Sequence, residues 1–456
     1  MAIADATAHG AVHPRKLRRS FRIILSAAIG AGMFSLYGLL EKVIKKGRLT
    51  LIDAKGAVHE FGGKEPGPEA GIRFTNAAAE WKILLNPELN AAEAYMDGHL
   101  VMESGSIHDL VTLYYANRRQ FDLTPSQIFW RRLSTKARRF QQNNALSRSR
   151  ANVKAHYDIG EELYRLFLDR DMQYSCAYFP EGSETIEQAQ TLKKRHIAAK
   201  LCLKDGQRLL DIGCGWGGMA LYLAHIADIE VVGVTLSERQ LAVARRRAEI
   251  LGVGDRIKFE LIDYREVCGK FDRVVSVGML EHVGAPYLAS YFLNVRDRLS
   301  ADGVALIHSI SSKSPPGVTG PFLRKYIFPG GYSPSLSETV EAIEPTGLWL
   351  LDCEIWRCHY GYTLRHWRER FSKNRETAVQ IMDERFCRMW ELYLSIAERV
   401  FLQGSSNVFQ LQLGRERDVV PITRTYIEAE EARIASLETG FLERVVASAH
   451  QALDGD

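Results

Sequence analysis

The chain has 456 residues, 46% of them hydrophobic and 25% charged, with a formal net charge of +4. These totals exclude a disordered or fibrous chain and a strongly basic nucleic-acid binder, and they leave room for two or three ordinary cores. Seven cysteines, at 176, 202, 214, 268, 353, 358 and 387, form no C-x-x-C pair, so a disulfide framework, a zinc knuckle or another metal site is not expected, and a reducing cytoplasm is.

The chain opens on a basic cluster, "HPRKLRRSFR" at 13–22, followed by 18 uncharged residues at 23–40. That length is at the lower limit for a membrane span, and an anchor, an interfacial helix and a later start at Met33 are the alternatives. "GRLTLIDAKGAVHEFGG" (47–63) alternates apolar residues around "DAKG" and reads as a hairpin. A strand and helices follow to about 120. Residues 123–157 contain no Asp or Glu but carry Arg131, Arg132, Lys136, Arg138, Arg139, Arg148, Arg150 and Lys154. Such a patch attracts polyanions; an anionic membrane surface is favoured over nucleic acid, and a plain solvated helix face is the bland alternative.

From about 200 the texture becomes alternating strands and helices: "RLLDIG", "EVVGVTLS", "RIKFELIDY", "FDRVVSVGML" and "GVALIHSIS" read as strands of a mainly parallel, doubly wound α/β sheet. Ligands in such sheets sit outside the carboxyl ends of the strands. That rule points to 211–218, 234–237, Asp263, 278–282 and 308–311. A Pro/Gly-rich stretch at 314–335 reads as a functional loop. "LWLLDCEIW" and "NVFQLQLG" are expected to complete the sheet as an antiparallel pair, and the segment 425–453 to be helical.

"LLDIGCGWGG" carries the glycines of a dinucleotide loop, yet Asp211 stands two residues before Gly213. A carboxylate there repels a pyrophosphate, and the second strand ends in Thr235 and Ser237 without the acid that a ribose would need. The pattern suits S-adenosylmethionine, which presents an ammonium and a sulfonium and no phosphate. Asp263 then fits the adenine amino group. A helix-capping role is the alternative for Asp211.

Six segments, "YDIGEELYRLFLDRDMQYSCAYF", "LLDIGCGWGG", "VVGVTLS", "SVGMLEHVG", "KYIFPGG" and "HYGYTLRHWRERF", resemble the cyclopropane-fatty-acyl-phospholipid synthase family and its mycolic-acid relatives over about 48–414. The resemblance implies a Rossmann-like class I methyltransferase domain with a smaller α+β N-terminal domain. The boundaries expected are a basic segment with apolar helix (1–46), a membrane-associated domain (47–145), the catalytic domain (146–415) and a helical tail (416–456). It implies methylene transfer from S-adenosylmethionine to the cis double bond of an acyl chain in a phospholipid, with bound bicarbonate as the base. Matched by motif, the bicarbonate holders are Cys176, Glu281, His308, Tyr360 and the carbonyl of Ile310. The cofactor wall falls on Tyr174, Ser175, Asp211, Gly213, Gly215, Gly217, Thr235, Ser237, Gln240, Asp263 and Tyr264.

The cation formed on the chain needs aromatic faces, for which Tyr174, Tyr178, Phe179, Tyr326, Phe328 and Tyr332 are candidates beside a role in the core. One departure is Ala397, where several members carry a cysteine. The implied setting is the inner face of the cytoplasmic membrane, with a homodimer as the candidate assembly. A methyl- or methylene-branching fatty acyl methyltransferase is the alternative within the enzyme class, and a silent lipid-binding protein the alternative outside it.

Overall fold

The computed structural model describes residues 36–63, 65–120, 160–438 and 440–453, in two compact units divided between 122 and 123. The basic segment 123–157 and most of the apolar stretch 23–40 lie outside the described residues. No described helix is long and apolar enough to cross a membrane.

In the first unit, β1 (Lys46–Ile52), β2 (Val58–Gly62), β3 (Glu65–Phe74) and β4 (Leu100–Ser104) form one sheet in the order β2-β1-β3-β4. The hairpin is present, with Ile52 opposite Val58. Its turn is made by the Asp53 carboxylate, which accepts from the backbone N–H groups of Lys55 and Ala57 at 2.9 Å each. Asn117, buried at the end of the helix Ile107–Asn117, accepts from the N–H groups of Lys45 and Lys46 at 2.8 and 2.9 Å and so ties that helix to the start of β1.

The second unit holds a seven-stranded sheet. Its strands are β5 (Arg208–Ile212), β6 (Glu230–Thr235), β7 (Ile257–Leu261), β8 (Phe271–Val277), β9 (Leu299–Ser312), β10 (Trp349–Trp356) and β11 (Ser406–Gly414), in the order β10-β11-β9-β8-β5-β6-β7. This is the class I methyltransferase arrangement expected from the sequence. β5 lies parallel to both β6 and β8, so the strand order reverses on either side of it. A crevice at such a reversal is where ligands bind in open α/β sheets. The late strands differ in one detail: β11 alone runs against the sheet, antiparallel to both β9 and β10.

The segment 425–453 forms two helices, Thr425–Leu437 and Phe441–Leu453, separated at Gly440 (φ +74°). They are core elements: Ile427, Ile434, Phe441 and Val445 are buried with Leu221, Leu223 and Ala248. The loop 314–335 folds back on the end of β9, where Ser312 N–H and the Ser311 hydroxyl both reach the Pro334 carbonyl, at 3.2 and 2.9 Å.

Candidate active site

The cleft at the carboxyl ends of β5, β6 and β8 is lined by residues 172–175, 211–216, 234–236, 262–265 and 277–279, with Gln240 and His282. β5 delivers the chain into a turn whose Gly213, Gly215 and Gly217 all take left-handed φ, +83°, +54° and +83°. Gly215 opens on space; no atom lies within 4 Å of where a Cβ would stand. Gly217 serves packing instead: a Cβ there would come 2.9 Å from the Phe259 ring and 3.0 Å from Ala244. Ser237 likewise turns away from the cleft and caps the helix Glu238–Ile250, its hydroxyl accepting from Gln240 N–H at 3.3 Å. Neither residue lines the cleft, whereas Tyr174, Ser175, Asp211, Gly213, Gly215, Thr235, Gln240, Asp263 and Tyr264 do.

The two aspartates differ. Asp211 is buried and its Oδ2 has no hydrogen-bond partner. Burial pushes its carboxyl up to about 7, against the opposing pull of the Lys193 charge. A buried carboxylate oxygen with nothing to accept from fits a ligand that brings an N–H donor and positive charge, as the amino end of S-adenosylmethionine does. Asp263 is already satisfied: Arg265 grips it with Nε on Oδ1 and Nη2 on Oδ2, both at 2.7 Å, and its backbone N–H adds a third bond at 3.0 Å. The sequence places Asp263 at the adenine; the structure adds that its carboxylate meets any ligand with Arg265 attached.

Beyond β8, the turn Leu280–His282 carries Glu281 inward. Glu281 Oε1 accepts from the Ile310 N–H at 2.5 Å, and Oε2 is buried without a partner. Burial raises this carboxyl to about 7, while the Ile310 N–H, its own N–H and the nearby Ser309 hydroxyl pull it down. His308, on β9, is buried with Nδ1 at 3.2 Å from Gln410 Nε2 and its ring edge-on to Trp356 at 5.0 Å. Burial, then the positive charges of Lys193 and Lys200, hold it well below the ordinary imidazole range, so it is neutral.

Cys176 is buried, its thiol pushed up by desolvation and donating to the Ala177 carbonyl at 3.3 Å. Ala177 N–H in turn donates to Thr363 Oγ1 at 3.0 Å, one turn along the helix His359–Lys373 from Tyr360. The structure thus joins Glu281 directly to Ile310, sets His308 two residues before it on the same strand, and links the Cys176 and Tyr360 segments through Thr363.

Of the six candidate rings, Tyr174 lines the cleft, stacked on Trp367 at 5.2 Å. Tyr178 packs against both His196 and Trp356, which are themselves in contact, Phe179 stacks on His366, and the Tyr332 hydroxyl is bound by Glu338. Sequence reasoning missed Met172, Gln173 and Arg265 in the lining, while Trp216 and Met279 fall inside the strand-end ranges it selected but received no role. Each lies within two residues of one that it did assign, and that closeness was the available signal.

This arrangement can be set beside known proteins. The model of the mycolic acid cyclopropane synthetase family matches residues 144–411. The chain belongs to that family. Residues 42–124 match a second family model, described as a domain of unknown function. The cyclopropane-fatty-acyl-phospholipid synthase of Escherichia coli (strain K12) is 35% identical over 362 residues, 76% of this chain and 88% of that protein. A probable fatty acid methyltransferase of Pseudomonas putida is 40% identical over 266 residues, 57% of this chain and 68% of that one. Among solved structures, the cyclopropane synthase MmaA2 from Mycobacterium tuberculosis has a TM-score of 0.56 at 32% identity and covers 58% of this chain and 97% of its own. The mycolic acid cyclopropane synthase CmaA1, complexed with SAH and CTAB, has a TM-score of 0.54 at 31% identity, with the same coverage. This member of the family is therefore an S-adenosylmethionine-dependent enzyme of the methyltransferase class.

Proposed function

We propose that this enzyme transfers a methylene group from S-adenosylmethionine to the cis double bond of an unsaturated acyl chain in a membrane phospholipid, giving a cyclopropane ring. The observation that carries the reading is Glu281: a buried carboxyl held by the Ile310 N–H on one oxygen and short of a partner on the other. It is supported by the identity to the E. coli synthase over most of that protein's length.

The chemistry asks three things of the chain. Asp211 receives the ammonium of S-adenosylmethionine and fixes the sulfonium methyl for attack by a weak alkene nucleophile. As the alkene carbon bonds to the methyl, the carbon–sulfur pair leaves with sulfur as S-adenosylhomocysteine, and a carbocation remains on the chain. Loss of a proton from the new methyl closes the ring. Bound bicarbonate would supply the base for that loss. Glu281 would accept its O–H, and neutral His308 and the Tyr360 hydroxyl would donate to its oxygens, with Cys176 and the Ile310 carbonyl completing the shell. The orphaned Glu281 Oε2 fits such a guest.

The acceptor lies in a bilayer, and we place the enzyme at the inner face of the cytoplasmic membrane. There the basic segment 123–157 would contribute about 1 kcal/mol per cation near an anionic surface. The identity to the P. putida fatty acid methyltransferase keeps one second reading, transfer that ends in a methyl- or methylene-branched chain. Lipid mass spectrometry after expression in a host lacking such an enzyme tests both. The proposal expects mono-unsaturated chains to gain the mass of one CH₂ and to resist ozone cleavage. The same mass with an ozone-sensitive double bond assigns the protein to the branching reaction.

A further inference from the structure

The helix Ile186–Leu201 runs behind the cleft wall and presents Gln190 and Lys193, three residues apart and therefore on one face. Lys193 is fully buried, and its Nζ donates to Gln173 Oε1 and Ser175 Oγ, both at 2.8 Å. Gln190 Nε2 reaches the backbone carbonyls of the same two residues, at 3.2 and 3.0 Å. Four hydrogen bonds thus strap the segment that carries Tyr174 and Ser175 into the cleft and Cys176 toward Thr363.

The strap has an unusual member. Among the described residues no carboxylate lies within ion-pair distance of Lys193, although its neighbour Lys194 has Asp171 at 2.6 Å. Two neutral acceptors do not neutralise a buried ammonium; burial lowers its pKa to about 8, so below that pH it is charged and acts on the groups around it. From the preceding loop these are Asp169 and Asp171, the latter also bound by Arg247; from its own helix, Lys194; from the strap, Cys176. From the sheet they are Asp211 and His308, both of which feel its charge. Asp211 is the one among them that lacks a partner for its Oδ2 and opens on the cleft.

We propose that Lys193 is a positioning residue: with Gln190 it fixes the 173–176 wall, and its charge behind that wall holds Asp211 as the carboxylate that the amino end of S-adenosylmethionine needs. This rests on the cofactor reading above. A neutral methionine of similar length would keep the packing and lose the charge, whereas Gln190→Leu would loosen the wall and leave the charge.

The test is calorimetric titration with S-adenosylhomocysteine, which has the same amino-acid end, across roughly pH 6 to 8.5, on the full chain and on K193M and Q190L. The ligand's own amine titrates alike in all three, so differences belong to the protein. Wild-type affinity is expected to fall as pH drops through about 7. In K193M the midpoint should move up by about one pH unit, with a roughly fivefold loss at pH 7 that closes above about pH 8, where wild type also loses the Lys193 charge. Q190L should lose several-fold at every pH with the wild-type midpoint, about one hydrogen bond's worth.

A K193M curve parallel to wild type overturns the proposal and reduces Lys193 to packing. If K193M fails to fold by near-ultraviolet circular dichroism, Q190L decides: unchanged affinity overturns the strap. A wild-type protein that binds no S-adenosylhomocysteine at any pH fails the cofactor reading itself, an outcome distinct from the other two.

Discussion

Two buried carboxylates of the candidate site, Asp211 in the cleft and Glu281 beyond it, are treated differently from Asp263, which Arg265 grips in the same cleft, and from the scaffold carboxylates behind it. Asp211 and Glu281 each keep an oxygen without a partner. Asp171 is held by Lys194 and Arg247, and Glu354 by His196, Lys200 and Arg424. Leaving a polar group unpaired in a low-dielectric interior costs free energy. The fold pairs Asp171 and Glu354 directly with cations and leaves one oxygen each of Asp211 and Glu281 without a hydrogen-bond partner, and in the proposed function those two oxygens receive a guest. The contrast makes a sharp demand: substitutions in the cleft should damage binding or turnover and spare the fold, and substitutions in the scaffold should do the reverse.

The largest effect is expected at Glu281. In Glu281→Gln the side-chain oxygen still accepts the Ile310 N–H, so the fold survives, but the group can no longer take its part in removing a proton. Turnover should fall roughly 10²–10⁴-fold, the span of general acid–base contributions, with S-adenosylmethionine affinity nearly unchanged. A Gln variant that turns over normally would remove Glu281 from the chemistry and break the contrast.

Arg247→Met probes the other side. Arg247 is fully buried and spans three elements: it binds Asp171, donates to the Trp216 carbonyl in the glycine turn at 2.9 Å, and reaches the Val445 carbonyl of the last helix at 3.3 Å. Breaking one partner of a buried pair costs about 3–5 kcal/mol, to be read as a lower denaturation midpoint. A variant as stable as wild type would show that Asp171 needs no more than Lys194.

Asp211→Asn should do two opposite things. Losing a charge-assisted hydrogen bond weakens S-adenosylmethionine binding by about 1.5–3 kcal/mol, read by calorimetry. The ligand-free protein should at the same time melt higher at pH 8. The sign follows from the shift: a carboxyl raised in the fold is stabilising when protonated and costs stability above its folded value of about 7. A lower melting temperature would mean that Asp211 is a structural cap and not a vacancy for the cofactor.

These expectations show what a sequence discloses. The sheet was legible because β5, β6 and β8 are short apolar runs ending in glycine or small polar residues, and Asp211 because a carboxylate beside a glycine turn conflicts with phosphate. The end of β6 is less legible: Ser237 suits both a helix cap and a ligand contact, and the structure shows the cap. The Asp263–Arg265 fork lies within three residues and could have been suspected. Arg247 could not: its partners are 76, 31 and 198 residues away, and no local period encodes such a meeting. The same holds for the helices at 425–453, which read as a tail from their composition and become core because Ile427, Ile434, Phe441 and Val445 pack on Leu221, Leu223 and Ala248, with Glu438 between the two helices paired to Arg195 and Tyr222.

The smallest effect sharpens the scaffold side. His196 sits between two carboxylates, with Nδ1 at 2.8 Å from Glu431 and Nε2 at 2.9 Å from Glu354, and with the Tyr178 ring stacked on its face. Both nitrogens face carboxylate acceptors, a setting that favours the doubly protonated ring. Burial disfavours that charge and Lys200 adds to the repulsion, yet the hydrogen bonds to Glu354 and Glu431 prevail and its pKa is raised above 6.5. A raised histidine stabilises fully below its unfolded value and loses that contribution as pH climbs through the folded one. Wild-type stability relative to His196→Gln should therefore be greatest near pH 6 and shrink on the alkaline side. The difference should be at most about 1.5 kcal/mol, since Glu431 remains partly in water that screens it. Melting temperatures of both proteins across that range check it. A gap that widens with pH would mean that His196 is neutral in the fold, and that the scaffold carboxylates Glu354 and Glu431 hold one cation fewer than the contrast with Asp211 and Glu281 requires.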